Sequence, residues 1–169
     1  MPASPDRHLV LVGLMGSGKT TLGRRLAERL GRPFLDSDEM VEARHGRTVR
    51  DIWRAEGESG YRGFETEALR EALAGPPAVI AAAGGVVLSE ENRRALRDSG
   101  ARVIWLKAEP EMLVARTATG EHRPLLDDDP LAALQAMSRS RHDLYADVAT
   151  ETLDVKGRTV DELADQVLL

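Results

Sequence analysis

The sequence predicts an α/β fold with a parallel sheet covered by helices, and three features carry that reading. Short apolar runs rich in Val, Ile and Leu alternate with longer amphipathic stretches, the pattern of strands buried on both faces. The first run, Leu9 to Gly13, passes through a glycine-rich loop straight into a segment with leucines at 22, 26 and 30, so a strand feeds a helix. The chain has 169 residues, 42% hydrophobic and 30% charged, which suits one domain with one sizeable core.

Five strands are expected: Leu9 to Gly13, Pro33 to Asp36, Ala78 to Ala83, Arg102 to Lys107 and Thr152 to Val155. Helix starts lie between them. Thr48-Val-Arg-Asp51 and Thr159-Val-Asp-Glu162 resemble capping boxes, in which a hydroxyl and an acid three residues on satisfy free amides. Asp129-Pro130 places a cap and then a proline at the first helical position. Ser89, followed by two glutamates, opens the helix that leads to Gly100. No repeat or linker divides residues 1–169, which read as a single domain.

Two stretches interrupt the alternation. Residues 38–74 form a long polar and helical insertion, and residues 117–129, "TATGEHRPLLDDD", are polar and broken by glycine and proline. Ligands of doubly wound sheets bind at the carboxyl ends of the strands, where both stretches emerge. They are expected to be a substrate-binding insertion and a lid.

Composition removes several function classes. A net charge of −5 offers no basic excess for a nucleic-acid partner. The absence of cysteine excludes disulfides and thiolate metal sites and fits a reducing compartment. The longest apolar run, Pro76 to Leu88, falls short of the ~20 residues needed to span a bilayer, and the first residues lack the apolar stretch of a signal peptide. A cytoplasmic protein with no membrane partner is expected.

The loop after the first strand, Gly13-Leu-Met-Gly-Ser-Gly18-Lys19-Thr20, satisfies G-x-x-x-x-G-K-[ST] between a strand and a helix. Glycines let backbone N–H groups turn inward around phosphates, and the helix start adds positive partial charge. Lys19 supplies charge for the outer phosphates and Thr20 a magnesium ligand. A bound nucleoside triphosphate follows. No N-K-x-D-like element appears after a late strand, so ATP is favoured over GTP.

"FLDSDEM" sets Asp36 and Asp38 two residues apart at the end of the second strand, pointing the same way if strand geometry persists. One carboxylate then serves the magnesium shell and the other the attacking hydroxyl. The alternative is that both cap the following helix. Arg62 and Glu65 in "GYRGFE" stand i, i+3 and can pair. On spacing alone this pair reads as a solvated surface contact, although Glu65 could instead orient Arg62 towards an anion. Gly84 and Gly85 either allow close backbone approach to a ligand or form a tight turn. Arg123 precedes a proline in the expected lid, where it can close over transferring phosphate. The plain alternative to a functional role for Arg141 is an exposed helix charge, while Trp53 and Tyr61 either wall a pocket or pack the insertion, packing being the simpler reading.

Taken together, these motifs resemble those of the shikimate kinases over nearly the whole chain: the loop Gly13 to Thr20, "DSD" at Asp36 to Asp38, "GYRGFE", "GG" after the third strand, "RPLL" at Arg123 to Leu126 and "R-x-x-L-Y" at Arg141 to Tyr145. The resemblance implies a P-loop NTPase three-layer sandwich with a five-stranded parallel sheet, a shikimate-binding helical insertion and a lid. It implies transfer of the γ-phosphoryl group of Mg-ATP to the 3-hydroxyl of shikimate, in chorismate and aromatic amino acid biosynthesis, by a monomer. Gly16, Ser17, Gly18, Lys19, Thr20 and Thr21 would hold ATP, Arg116 would stack on adenine, and Arg123 would reach phosphate and substrate. Thr20 and Asp36 would serve Mg2+, the latter through water. Asp38, Arg62, Gly84, Gly85 and Arg141 would bind shikimate, and Lys19, Asp38 and Arg123 would be catalytic.

The chain departs from the family pattern in two places. Ala83 stands where the first of three glycines is usual, after Ala81 and Ala82 where a hydroxyl residue is common, and Tyr61 stands where phenylalanine is usual. The alternatives are a P-loop kinase for another small acceptor, such as gluconate or a nucleoside monophosphate, and a kinase-like ligand-sensing module without turnover.

Overall fold

The computed structural model describes residues 4–117 and 128–169. Along the chain run β1 (Leu9–Val12), α1 (Lys19–Leu30), β2 (Phe34–Asp36), α2 (Ser37–His45), α3 (Val49–Ala74), β3 (Val79–Ala81) and a 3₁₀ turn (Val86–Leu88). Then follow α4 (Glu90–Asp98), β4 (Arg102–Lys107), α5 (Pro110–Thr117), α6 (Pro130–Val148), β5 (Glu151–Asp154) and α7 (Val160–Leu168). All five expected strands form, with ends that differ by at most two residues.

The strands make one all-parallel sheet in the order β2-β3-β1-β4-β5. Side-chain alternation divides the core between its two faces. Leu9 and Leu11 of β1 join Val79, Ile104 and Leu106 under α1 and α7, meeting Leu26 and Val167. Val10 and Val12 turn to the other face, packing with Ile80, Val103 and Trp105 against Leu69 of α3, Leu113 of α5 and Leu134 of α6. Each fully buried side chain of this kind contributes about 1.5–3 kcal/mol relative to exposure, so a sheet covered on both faces is the arrangement that removes most apolar surface from water.

Helix starts follow the local chemistry. Thr159 accepts the Glu162 amide at 3.1 Å while Glu162 accepts the Thr159 amide at 2.7 Å, which fixes the first turn of α7. Thr48 accepts the Asp51 amide at 3.1 Å, and Asp129 accepts the Ala132 amide at 3.1 Å ahead of Pro130. Within the 38–74 stretch, α2 and α3 close a small core of their own around Val41, Ile52, Tyr61 and Ala68. The α3 helix is broken at Gly57, whose φ of 71° is open to glycine at little cost. That break aims the second half of α3, which carries Tyr61, Arg62 and Glu65, at the carboxyl end of the sheet.

Of the expected lid, Thr117 ends α5 and Asp129 caps α6. Its centre, with Arg123, lies outside the described residues. Among the described residues no helix is long and apolar enough to cross a membrane. Because β3 and β4 flank β1, the chain reverses direction across the sheet at β1, and a crevice opens where the loops after β1, β2 and β3 meet.

Candidate active site

The loop after β1 is shaped by its glycines. Gly13, Gly16 and Gly18 have φ of 146°, 81° and 100°, and a Cβ on Gly13 would fall 2.7 Å from the Leu106 carbonyl oxygen. Only a chain without side chains there can fold this tightly beside β4. The loop delivers Lys19 to the start of α1, with its ammonium donating to the carbonyls of Gly13 at 2.7 Å and Leu14 at 3.0 Å. Ser17 is buried beneath the loop. Arg116, on α5, donates to the carbonyls of Gly16 at 3.2 Å and Ser17 at 3.4 Å, which places its guanidinium at the lip of the loop.

On the far wall, β2 ends at Asp36. One Asp36 oxygen accepts the amides of Asp38 at 2.9 Å and Glu39 at 3.2 Å, and the other accepts the Thr20 hydroxyl at 2.9 Å. Strand geometry therefore stops at Asp36, two residues before Asp38, contrary to the expected side-by-side pair. Asp36 is the helix cap, and Asp38 sits in the first turn of α2, with its acidic charge at the favourable end of the helix dipole. Asp38 is half-buried, and withdrawal from water raises its carboxyl above the usual carboxylate range, against the pull of a hydrogen bond from Tyr61 and of Lys19.

That hydrogen bond is short and runs from the Tyr61 hydroxyl to Asp38 Oδ1. Tyr61 also packs as expected, with its ring 5.5 Å from that of Trp53. Burial pushes its phenol well above the ordinary tyrosine range, and the neighbouring Asp38 charge adds to the rise. The bond to Asp38 has no local sequence signature, because 23 positions separate the two residues.

The pair expected to be a surface contact is not one. Arg62 donates to Glu65 at 2.9 Å, and the Glu65 side chain is 1% exposed. Burial lifts its carboxyl to about 7, with Arg62 opposing the rise and Asp38 adding to it. Arg141 is buried at 4% exposure, which removes the alternative of an exposed helix charge. One turn on, the Tyr145 hydroxyl donates to the Gly84 carbonyl at 2.6 Å, and burial raises that phenol to about 12 while Arg141 holds it down.

The two arginines converge on the turn after β3. A Cβ on Gly84 would lie 3.7 Å from Arg141 Nη1, and one on Gly85 would lie 2.1 Å from Arg62 Nη1. The missing Cβ of Gly85 is what admits Arg62, whereas a Cβ on Gly84 would stand in ordinary contact with Arg141 and press instead on the loop after β1, 3.3 Å from the Gly13 carbonyl oxygen. Ala83 lines the same wall, and its amide donates to Ser37 Oγ at 2.8 Å, tying the turn to the start of α2.

These elements enclose a cleft of about 430 Å³ walled by Gly16, Gly18, Lys19, Thr20 and Thr21 on the loop side, with Arg116 at its lip. Asp36, Asp38, Ala83 and Gly84 form the opposite wall. Arg62, Gly85 and Arg141 stand next to Gly84. Thr20 and Asp36 present hydroxyl and carboxylate oxygens together, and among the described residues no group of three or more His, Cys, Asp or Glu is placed to hold a metal ion. Such a donor set suits Mg2+, which draws most of its ligands from phosphates and water rather than from a protein cage.

A G-x-x-x-x-G-K-T loop at the reversal point of a five-stranded parallel sheet, facing an acidic wall and two arginines, Arg141 buried and Arg62 half-buried, defines a P-loop small-molecule kinase fold. The chain belongs to the shikimate kinase family: the model described as "Shikimate kinase" matches residues 15–169. It is 51% identical to the shikimate kinase of Symbiobacterium thermophilum over 164 residues, 95% of this chain and 94% of that protein. It is 42% identical to that of Thermobifida fusca over 158 residues, 94% of this chain and 91% of that one. Among solved structures, the shikimate kinase from Acinetobacter baumannii in complex with shikimate superposes with a TM-score of 0.92 at 38% identity, covering 96% of this chain and 90% of that one. A gluconokinase from Sinorhizobium meliloti, at 20% identity and a TM-score of 0.66, shares the fold.

Proposed function

We propose that this protein transfers the γ-phosphoryl group of ATP to the 3-hydroxyl of shikimate, giving shikimate 3-phosphate and ADP. The observation that carries the reading is the convergence of Arg62 and Arg141 on Gly84 and Gly85, beside a cleft that holds Asp38 and opens onto the phosphate loop. Shikimate is a small polyol carboxylate. It requires a cationic fork at one end and a hydrogen-bond acceptor for a hydroxyl at the other, and guanidinium groups bind carboxylates in planar, two-bond fashion.

Each residue then has a task. Backbone amides of Gly16 to Thr21 and the Lys19 ammonium hold the phosphates of ATP, and Arg116 supports the adenine. Thr20 and Asp36 are the residues that would hold Mg2+, which when bound neutralises charge on the outer phosphates. Arg62 and Arg141 clamp the acceptor carboxylate, and the turn at Gly84 and Gly85 backs its ring. Asp38 accepts the hydrogen bond of the 3-hydroxyl and takes its proton as the oxygen bonds to the γ-phosphorus and the bond from phosphorus to the bridging oxygen of ADP breaks. Little basicity is needed for this, because phosphoryl transfer depends mainly on positioning and charge stabilisation. Arg123 is assigned to the lid, where it reaches the transferring phosphate. The cysteine-free composition supports a cytoplasmic setting.

The test is ADP release with Mg-ATP in the presence of shikimate, gluconate, nucleoside monophosphates or no acceptor. Release stimulated by shikimate alone is expected. Equal or greater stimulation by another acceptor would overturn the substrate assignment, and ATP binding with no acceptor-stimulated release would overturn the assignment of catalysis.

A further inference from the structure

We infer that Tyr61 is a positioning residue for phosphoryl transfer in this chain: its hydroxyl holds one oxygen of Asp38, so that the other oxygen is presented to the acceptor hydroxyl. The inference rests on the proposed role of Asp38 and adds a part that the ring of Tyr61, packed in the small core between α2 and α3, does not explain. A phenyl ring would fill that core equally well. What the hydroxyl adds is one polar group inside a buried cluster, which is unfavourable unless the group is hydrogen-bonded.

Its partner is Asp38 Oδ1. The backbone of Asp38 is already anchored, since its amide is held by Asp36 at 2.9 Å. Only the side-chain torsions remain to be set, and the Tyr61 bond sets them. No protein donor is found for Asp38 Oδ2 among the described residues, and Asp38 lines the cleft, so this oxygen is the one available to substrate.

The surroundings support orientation rather than incidental contact. Asp38 feels Lys19 from the phosphate loop, Asp36 from β2 and Glu42 one turn along α2, while Tyr61 feels Arg62 and Glu65 on its own helix. A carboxylate in such a field has several places to swing, towards Lys19 above all. The phenol, rigid and buried, removes that freedom. Tyr61 also precedes Arg62, whose guanidinium lies over Gly85. The same turn of α3, re-aimed by the break at Gly57, therefore holds the acid that meets the hydroxyl and the cation that meets the carboxylate. The distance between the two ends of the acceptor site is set by one piece of helix.

The test is a double-mutant cycle of Tyr61→Phe and Asp38→Asn, with kcat, the KM for shikimate and ATP affinity measured for all four proteins. In the native background, Y61F is expected to lower kcat by about tenfold, the scale of one hydrogen bond to a charged group, with ATP affinity unchanged. In the D38N background, Y61F is expected to lower kcat no further, because a positioning group has nothing left to position. Native kcat in Y61F would overturn the inference while leaving Asp38 in its role. Equal losses in both backgrounds would overturn it too, by showing that Tyr61 acts without Asp38. Native kcat in D38N would remove the role of Asp38 itself and the inference with it.

Discussion

The Arg62 guanidinium lies across Gly85 so closely that a Cβ at that position would fall 2.1 Å from Nη1 and 2.4 Å from Cζ. The backbone of Gly85, with φ of −88° and ψ of 4°, is open to alanine, and the atoms in the way end a flexible side chain. Gly85→Ala is therefore expected to fold and to bind ATP normally while displacing Arg62. The KM for shikimate should rise by about tenfold or more, the loss of a charge-assisted hydrogen bond. Arg62→Ala should act in the same direction, and the double variant should be no worse than Arg62→Ala alone. Steady-state kinetics on the three variants check this, and an unchanged KM in all of them would exclude Arg62 from the carboxylate clamp.

Asp38→Asn keeps the shape of the side chain and removes its charge. Turnover is expected to fall far more than ATP affinity, because the contact with the hydroxyl strengthens as the new bond forms. Comparing kcat with the ATP dissociation constant measured by titration decides the matter. A kcat within a few-fold of native would end the assignment of Asp38.

Glu65 is the buried acid behind Arg62, and its carboxyl is lifted from 4.5 to about 7. Because the folded value lies above the unfolded one, the folded chain holds this proton more tightly. The resulting stabilisation is whole below pH 4.5 and is lost as pH rises through about 7. Relative to Glu65→Gln, the native protein should lose stability between pH 5 and pH 8. Denaturant unfolding of both proteins at these two pH values measures the difference, and a difference that stays flat across the window would contradict the raised value.

Gly13 marks where fold and function share one residue. An alanine there meets a backbone carbonyl at 2.7 Å and must adopt φ of 146°, so neither contact nor torsion can relax cheaply. Gly13→Ala is expected to cost about 1–3 kcal/mol of stability and to weaken ATP binding through the distorted loop. Denaturant midpoints and ATP titration provide the readouts. Native values for both would show that the loop does not depend on this torsion.

How much of this was legible beforehand depended on whether the determining physics was local. Strands, caps and the phosphate loop are specified by neighbours within a few residues, as with Thr159 and Glu162 or the glycines before Lys19, and they fall where the pattern puts them. Burial of charge is not local. Spacing presents Arg62 and Glu65 as a helix-surface pair, and nothing local marks Arg141 as other than an exposed charge, yet the break at Gly57 and the packing of α6 against the turn after β3 carry Glu65 and Arg141 inside and leave Arg62 half-buried. The two acids of "DSD" failed as a strand pair because Asp36, as a cap, ends the strand to which Asp38 would have belonged. The bond between Tyr61 and Asp38 depends on α2 and α3 packing together, which no motif in either segment records.

The most direct test of the central claim is the structure of the product. Shikimate and Mg-ATP would be incubated with the protein and followed by phosphorus and proton magnetic resonance. A new phosphate ester signal coupled to the proton on carbon 3, appearing at the rate of ADP release, is the expected result. ADP formed without a phosphorylated shikimate, or phosphate attached to another hydroxyl, would contradict the proposed arrangement, in which two arginines hold the carboxylate while Asp38 faces the 3-hydroxyl.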